Sequence, residues 1–149
     1  MLAAPAAADD GGEEEAIGPL VTTNDKKHRK WMVTINKPDD MSDSVFYRQV
    51  GTFFTRKNIV SKCYQFERGE EEQRLHSHGV VRFRNSVAFN TIKGSLNRCG
   101  FSSIFLRAIG DTSAWERACK YCCKEDTRVS GPTFSGIDVW MVVCDLFAD

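Results

Sequence analysis

The stretch that decides the fold is Leu75-His76-Ser77-His78-Gly79-Val80-Val81-Arg82-Phe83, in which two histidines stand one residue apart at the start of an apolar run. A short apolar run predicts a β-strand, and successive side chains of a strand point to opposite faces. His76 and His78 therefore share one face. The other face carries Ser77, Val81 and Phe83. The sequence thus predicts two imidazoles side by side as metal ligands, with a hydrophobic layer behind them.

The preceding segment, Cys63–Glu67, predicts a second strand, with Tyr64 and Phe66 facing the core. Gln65 and Glu67 then face the opposite side. If the two strands pair antiparallel through the polar loop between them, Glu67 comes to lie beside the two histidines. One carboxylate and two imidazoles form a ligand set for a divalent cation, and the carboxylate favours Mg or Mn more than a third histidine would.

The formal net charge of the 149-residue chain is zero, but the charges are unevenly distributed. Residues 1–25 carry six acidic side chains and no Lys or Arg, whereas residues 26–149 carry 20 basic and 14 acidic side chains. Because the first segment is poor in large apolar groups, we expect residues 1–26 to form a disordered acidic tail. The basic remainder suits a domain that binds a polyanion.

The first eight residues lack the basic start and apolar core of a signal peptide, and no apolar stretch is long enough to span a membrane. We therefore expect no membrane association and expect the six cysteines to be reduced thiols. Cys119, Cys122 and Cys123 lie close together, but a second pair at zinc-finger spacing is missing. Structural zinc is thus the less favoured interpretation of these cysteines.

The hydrophobic pattern predicts one α+β domain over residues 27–136, with a central antiparallel sheet and helices. The strands are expected at residues 31–36, 63–67, 76–83 and 102–108. In the first strand, Trp31, Val33 and Ile35 face inward. The order strand, helix, strand, strand, helix, strand, helix predicts helices on one face of the sheet and a later helix free to lie near the other face.

The capping residues place the three helices. Ser42 or Asp43 is expected to cap the first helix, Asn85-Ser86 the second, and Asp111-Thr112-Ser113 the third, which runs from Ala114 to about Lys124. Gly131-Pro132 is expected to end the domain. Residues 137–149 are expected to form a C-terminal segment with a short amphipathic helix.

Tyr121 and Lys124 are three residues apart in the third predicted helix, so they share one face. A tyrosine hydroxyl is a poor nucleophile at neutral pH, but beside a cation-bound phosphate it can attack phosphorus and form a phosphotyrosine. Lys124 would stabilise the negative charge that develops there. Arg82 and Arg84 continue the face of the two histidines and are candidates for contacts with phosphates, which would make binding of a polyanion salt-dependent.

Three segments resemble, in order and spacing, the motifs of the HUH endonuclease domain of rolling-circle replication initiator (Rep) proteins. They are Trp31–Asn36, His76-Ser77-His78 and Tyr121-Cys122-Cys123-Lys124. The residues that follow, Lys124–Pro132, are similar to Reps of circular single-stranded DNA viruses of eukaryotes. The resemblance covers residues 30–136 and implies a ferredoxin-like or RRM-like fold.

By this resemblance, Glu67, His76 and His78 would bind Mn or Mg, and Tyr121 would nick single-stranded DNA at an origin stem-loop. The enzyme would keep the 5′ phosphate covalently, free a 3′ hydroxyl for a polymerase and later rejoin the strand. Lys124 would assist. The motif-one residues Thr34 and Asn36 would lie near the DNA.

The sequence departs from the family pattern at two places. Ser77 stands between the histidines where the family usually has a bulky apolar residue. No Gly-x-x-x-x-Gly-Lys-Ser/Thr loop of a helicase occurs, so we expect unwinding to come from a missing domain or from a partner. The viral analogy also implies residence in the host nucleus, with Lys26–Lys30 as a weak localisation signal, and allows a homo-oligomer of the full-length protein.

Two other functions stay open at the level of sequence. One is a noncatalytic module that binds single-stranded nucleic acid on an open sheet, although the predicted open face lacks paired aromatic residues. The other is a different HUH enzyme, a transposase or a relaxase, with the same chemistry and another substrate.

Overall fold

The computed structural model describes residues 26–69 and 73–136. The expected C-terminal helix and, except for Lys26, the expected acidic tail lie outside these residues. The elements are β1 (Lys27–Asn36), α1 (Asp43–Phe54), β2 (Ile59–Arg68), β3 (Leu75–Ala88), α2 (Phe89–Arg98), β4 (Ile104–Ala108), α3 (Thr112–Tyr121) and β5 (Arg128–Ser135). Among the helices of the described part, none is long and apolar enough to cross a membrane.

The five strands form one antiparallel sheet in the order β4-β1-β3-β2-β5, which confirms the predicted α+β class. The predicted order of the first seven elements is also confirmed. β3 lies at the centre, between β1 and β2. The strand with the two histidines therefore receives backbone hydrogen bonds on both sides, which fixes its register.

One face of the sheet carries the main hydrophobic core, against α1 and α2. Trp31, Val33 and Ile35 are fully buried there, as the alternation of β1 predicts. Phe54 of α1 stacks on Tyr64 of β2, with the ring centroids 4.0 Å apart. α1 and α2 therefore cover this face of the sheet, and the candidate site lies on the opposite face.

The other face is partly covered by α3, as predicted for the later helix. Ala114, Trp115 and Cys119 of α3 belong to a second buried cluster with Met32 and Val80 of the sheet. The N-cap residue Asp111 accepts a hydrogen bond from the Ala114 amide at 2.7 Å, as its position predicts. This packing brings the C-terminal end of α3 towards the histidines.

The structure corrects two predicted boundaries. Asn85-Ser86 does not cap α2, because β3 continues to Ala88 by pairing with the first residues of β1, and Ala88 is the N-cap without a side-chain bond. The third helix ends at Tyr121, so Lys124 lies beyond its C-terminus. The N-cap of α1 is Ser42, one of the two residues predicted.

Gly131-Pro132 does not end the domain, because both residues lie inside β5. Within residues 26–69 and 73–136, this strand pairs with β2 alone, at the edge of the sheet, where a proline without an N–H is tolerated. Gly131 has φ +101°, and a Cβ at this position would lie 2.9 Å from the Cβ of Gln65. A glycine is therefore what lets the edge strand pass so close to β2.

Candidate metal centre and tyrosine site

The register of the β2–β3 hairpin brings Glu67 directly opposite His76. Oε1 of Glu67 lies 3.3 Å from Nε2 of His76 and 3.7 Å from Nε2 of His78. The three side chains offer ligand atoms that all lie within 4.8 Å of one another. The structure thus assembles the carboxylate and the two imidazoles in the arrangement expected from strand alternation.

Each imidazole is oriented by a contact on its other nitrogen. Nδ1 of His78 lies 3.0 Å from Oγ1 of Thr34, and Nδ1 of His76 lies 3.3 Å from the carbonyl oxygen of Arg74. When a metal ion is bound, a proton on each Nδ1 would satisfy these contacts and leave the Nε2 lone pairs free for the metal. Such outer hydrogen bonds are typical of metal-binding histidines.

Burial and local charge set the protonation of the cluster. Burial acts to raise the pKa of Glu67, but contacts with His76 and Gln65 outweigh it, and the pKa lies at about 2. Burial lowers the pKa of His78 to about 4, although the Glu67 carboxylate opposes this change. At neutral pH the cluster therefore contains a carboxylate and a neutral imidazole, which are the forms that bind metals.

The donor set fits a divalent cation. Glu67 is fully buried, and its carboxylate faces two imidazoles whose side chains are only 16% and 15% exposed. A buried carboxylate beside imidazole nitrogens is stabilised by a shared cation. The identity of the metal, Mn or Mg, stays a prediction from the presence of the carboxylate.

Tyr121 lies beside this cluster. Its ring centroid is 5.3 Å from that of His78, and its side chain is 43% exposed. Nζ of Lys124 lies 4.6 Å from the centroid of the Tyr121 ring and 3.7 Å from Oε1 of Glu67. The structure therefore brings the predicted nucleophile, the predicted cation and the predicted ligands together, although Lys124 is in the turn after α3.

Partial burial is the largest single influence and acts to lower the pKa of Lys124, but Glu67, Tyr121 and Asp126 together raise it by more, and the net change is upward. Lys124 is therefore a permanent cation at neutral pH. Its charge lies between the carboxylate and the tyrosine ring.

The predicted DNA-contacting residues fall into two groups. Thr34 contacts His78, and Asn36 donates a hydrogen bond to the Ser103 hydroxyl at 3.0 Å on the exposed surface beside the site. Arg82 and Arg84 instead lie towards the far end of β3, with buried Val80 between them and the histidines. Four residues of strand place Arg82 about 13 Å along β3 from His78. The structure does not bring these two arginines to the metal ligands.

Ser77, the departure from the family pattern, is fully buried behind the site. Its hydroxyl donates a hydrogen bond to the Gln65 carbonyl oxygen at 3.1 Å. The polar side chain is therefore satisfied, and it does not contact the ligands.

Two polar residues of the site were not predicted to act there. Gln65 Nε2 donates to Oε2 of Glu67 at 2.9 Å, and Thr127 Oγ1 donates to Oε1 of the same carboxylate at 3.2 Å. The alternation of β2 placed Gln65 on the correct face, which was the available signal. Thr127 follows the third helix in a segment without a periodic pattern, so no comparable signal pointed to it.

Phe105 is the third residue that sequence reasoning missed. It lies opposite Thr34 in the β1–β4 pair and is therefore on the face of His78. Its side chain is 42% exposed, similar to that of Tyr121. Phe105 therefore adds one exposed aromatic side chain to a face on which no paired aromatic residues were expected. The apolar run of β4 does not alternate, so it could not show which side chain faces outward.

Comparison with known proteins gives one informative similarity. Over 102 residues, the chain is 31% identical to the master replication protein of banana bunchy top virus. The matched region is 68% of this chain but only 29% of that relative, so the chain spans less than a third of the length of the protein that it matches. No family model matches the chain. The similarity supports a viral replication protein of the Rep type.

Proposed function

We propose that this chain nicks and rejoins single-stranded DNA with Tyr121 as the nucleophile, in a reaction that depends on a divalent metal ion. The observation that carries the proposal is the position of the exposed Tyr121 ring, 5.3 Å from the ring of His78. A phosphodiester bound at this face of the sheet can reach the phenol and the Glu/His/His cluster together. This combination suits phosphoryl transfer, because the nucleophile and the charge-stabilising groups meet at one phosphate.

Glu67, His76 and His78 would hold the metal ion, which when bound supplies a Lewis acid for the scissile phosphate. Thr34 and the Arg74 carbonyl keep the two imidazoles in the orientation that ligation requires. These residues are in place before DNA binds. The site is therefore preorganised.

In the nicking step, the oxygen of Tyr121 forms a bond to phosphorus while the bond from phosphorus to the 3′ oxygen breaks. The phenol loses its proton, and the departing 3′ oxygen gains one. The products are a 5′-phosphotyrosine and a free 3′ hydroxyl. Attack of a 3′ hydroxyl on this phosphotyrosine reverses the exchange and rejoins the strand.

Lys124 would stabilise the phenolate that forms as Tyr121 loses its proton. Its Nζ is close enough to the Tyr121 ring and to Glu67 for one cation to serve both groups. A fixed positive charge placed where negative charge develops lowers the barrier more than one that must move into place.

The similarity to a viral master replication protein supports the biological context that we propose. The substrate would be the single strand of an origin stem-loop, and the two steps would start and end rolling-circle replication. We also propose residence in the host nucleus, where replication of such DNA would take place. Imaging a tagged chain in eukaryotic cells tests this point, and exclusion from the nucleus would contradict it.

The reaction is tested by cleavage of labelled stem-loop oligonucleotides in Mn and in EDTA. We expect wild-type protein to cut only with metal, Tyr121→Phe to bind DNA without cutting, and Lys124→Met to cut at least tenfold more slowly. Lys120→Met is the matched control, because Lys120 is an exposed cation on the last turn of the same helix. Cleavage by the Tyr121→Phe protein at the wild-type rate would refute the proposed nucleophile.

A second candidate function is noncatalytic binding of single-stranded nucleic acid. The observation that favours it is the pair of exposed aromatic side chains, Phe105 and Tyr121, on one face of the sheet. Bases stack on such side chains without any chemistry. Binding that is equally tight with and without metal, together with no cleavage of any stem-loop tested, would favour this function.

A further inference from the structure

Gln65 is a fully buried polar residue at the centre of the site. It lies on β2 directly opposite His78 of β3. Its Nε2 donates to Oε2 of Glu67 at 2.9 Å and to the carbonyl oxygen of Lys124 at 2.7 Å. Both partners only accept hydrogen bonds, so the amide nitrogen must face them, and the orientation of the side chain is unambiguous.

This contact makes the two oxygens of the Glu67 carboxylate unequal. Oε2 is held by Gln65, whereas Oε1 accepts a hydrogen bond from Thr127 and faces the two histidines and Lys124. A carboxylate that rotated freely would present either oxygen, or both, to a metal ion. The hydrogen bond at Oε2 therefore fixes Oε1 as the oxygen that is directed at the site.

The second hydrogen bond of the same amide group holds the turn after α3. Its acceptor, the Lys124 carbonyl, is three residues beyond Tyr121, and the Lys124 amide in turn lies 3.4 Å from the Tyr121 carbonyl. One side chain thus connects the predicted metal ligand with the segment that carries the predicted nucleophile and cation. A displacement of Gln65 would change both positions together.

The surroundings hold Gln65 in this position. β5 passes beside its Cα and Cβ at Gly131, where there is no room for a larger residue, and the backbone carbonyl of Gln65 accepts a hydrogen bond from the Ser77 hydroxyl. The main chain at Gln65 is therefore fixed by two neighbouring strands, and the buried amide is held by its two acceptors. A residue that orients a metal ligand must itself be held in place, and this packing meets that condition.

We propose that Gln65 is a positioning residue that aligns the Glu67 carboxylate for metal binding and sets the turn of Lys124 relative to it. The first half of this proposal, the alignment of Glu67, concerns the metal centre alone. The second half rests on the proposed nicking function.

The test compares Gln65→Met with Gln49→Met. Methionine has nearly the length of glutamine but donates no hydrogen bond. Gln49 is the matched control, because its Nε2 donates to the Cys99 carbonyl at 3.0 Å, on α1 and behind the sheet. Mn affinity is measured by calorimetry without DNA, the folded fraction by circular dichroism, and the rate of adduct formation at saturating Mn.

We expect Gln65→Met to weaken Mn binding by about 10- to 100-fold. At saturating Mn it should still form the DNA adduct at least tenfold more slowly than wild type, because the Lys124 turn is no longer held. Gln49→Met should match wild type in both measurements. If Gln65→Met does not fold, Gln65→Asn replaces it, since a side chain one methylene shorter keeps the amide but cannot reach both acceptors.

The outcomes separate this inference from the proposed function. Mn affinity of the Gln65 variant equal to that of the Gln49 variant would overturn the positioning of Glu67. Equal adduct rates for the two variants would overturn the positioning of the Lys124 turn. If the wild type binds Mn but forms no adduct, the nicking function fails, and with it the second half of the proposal, while the Mn affinities still decide the first half.

Discussion

At the residue scale, the site depends on one buried carboxylate. Glu67 receives hydrogen bonds from Gln65 and Thr127 and faces two imidazoles and Lys124. Burial acts to raise the pKa of this carboxyl, but His76, Gln65, His78 and Lys124 together keep it at about 2. A carboxylate that is ionised, fixed and surrounded by nitrogen atoms is a ready ligand, so the binding of a metal ion requires little rearrangement.

The contact between Thr34 and His78 gives the first prediction. Thr34→Val keeps the shape of the side chain but removes the Oγ1 that lies 3.0 Å from Nδ1 of His78. The imidazole then loses the contact that fixes its orientation, and we expect Mn affinity to fall by about tenfold or more. Calorimetric titration with Mn measures this effect. Thr52→Val, on the exposed side of α1, is the control, and an equal affinity of the two variants would contradict the role of Thr34.

The ligands could be predicted from the sequence because strand alternation and a short hairpin determine their faces and their register. Gln65 lay on the same face by the same rule, but an amide is not a usual metal ligand, and only its distances show what it contacts. Thr127 was beyond prediction, since its position depends on how the chain turns back from α3 to β5. Tertiary packing, not local pattern, decides such contacts.

Among the elements, β3 has different roles on its two faces: one face carries the predicted metal ligands, and the other packs against the core. Its histidines face the site, while Gly79 lies under the stack of Phe54 and Tyr64. A Cβ on Gly79 would lie 2.6 Å from the Phe54 ring and 2.7 Å from the Cβ of Tyr64. The close approach of these aromatic rings to the strand therefore depends on this glycine.

Gly79→Ala should accordingly destabilise the fold by about 1–3 kcal/mol, because the core must move to admit one methyl group. Gly51→Ala is the opposite case. Gly51 lies in α1 with no neighbour within 4 Å of an added Cβ, and alanine there should stabilise the fold by about 0.5–1 kcal/mol. Urea unfolding of both variants measures the difference. A Gly79→Ala protein as stable as wild type would show that the core can admit the added methyl group without cost.

Phe105 on β4 gives a prediction about DNA binding. If a base stacks on its exposed ring, Phe105→Ala should weaken binding of single-stranded DNA by about tenfold. The measurement uses fluorescence anisotropy in a Tyr121→Phe background, which prevents cleavage. The salt dependence of binding should not change, since no charge is lost. Val129→Ala, at a side chain of β5 that is also 42% exposed, should bind like its parent, and an equal loss in both variants would contradict stacking on Phe105.

Elements with a clear hydrophobic periodicity could be predicted from the sequence. Strands whose boundaries depend on pairing with another strand could not. The fold class, the first seven elements and the caps Ser42 and Asp111 followed from pattern and capping chemistry. β5 was missed because Gly131-Pro132 normally interrupts a strand, and only pairing at the sheet edge accommodates it. The extension of β3 to Ala88 likewise needed its partner in β1.

In the molecule as a whole, the sheet has the main hydrophobic core on one face and the candidate site on the other. α1 and α2 provide the main core on one face, and α3 covers part of the other and carries Tyr121 to the histidines. The metal ligands come from two adjacent strands. Because the unfolded chain cannot present these three ligands together, metal binding should stabilise the native state.

This coupling is measurable by thermal unfolding. At a Mn concentration about 100 times the Kd, we expect a stabilisation of about 2.7 kcal/mol, which corresponds to a rise in Tm of roughly 10 °C. Glu67→Gln should lose most of this rise, because the amide is a weak ligand for the cation. Asp43→Asn, which removes an exposed carboxylate that pairs with Arg68, should retain it. The absence of any Mn-dependent rise in the wild type would contradict a metal centre at Glu67.

The most direct test of the central claim is the chemical identity of the protein–DNA product. The chain is incubated with a panel of stem-loop oligonucleotides in Mn or in EDTA, and covalent adducts are digested and mapped by mass spectrometry. We expect a nucleotide linked through its 5′ phosphate to Tyr121, formed only with metal. An adduct on another residue, or none with any stem-loop despite bound Mn and bound DNA, would contradict it.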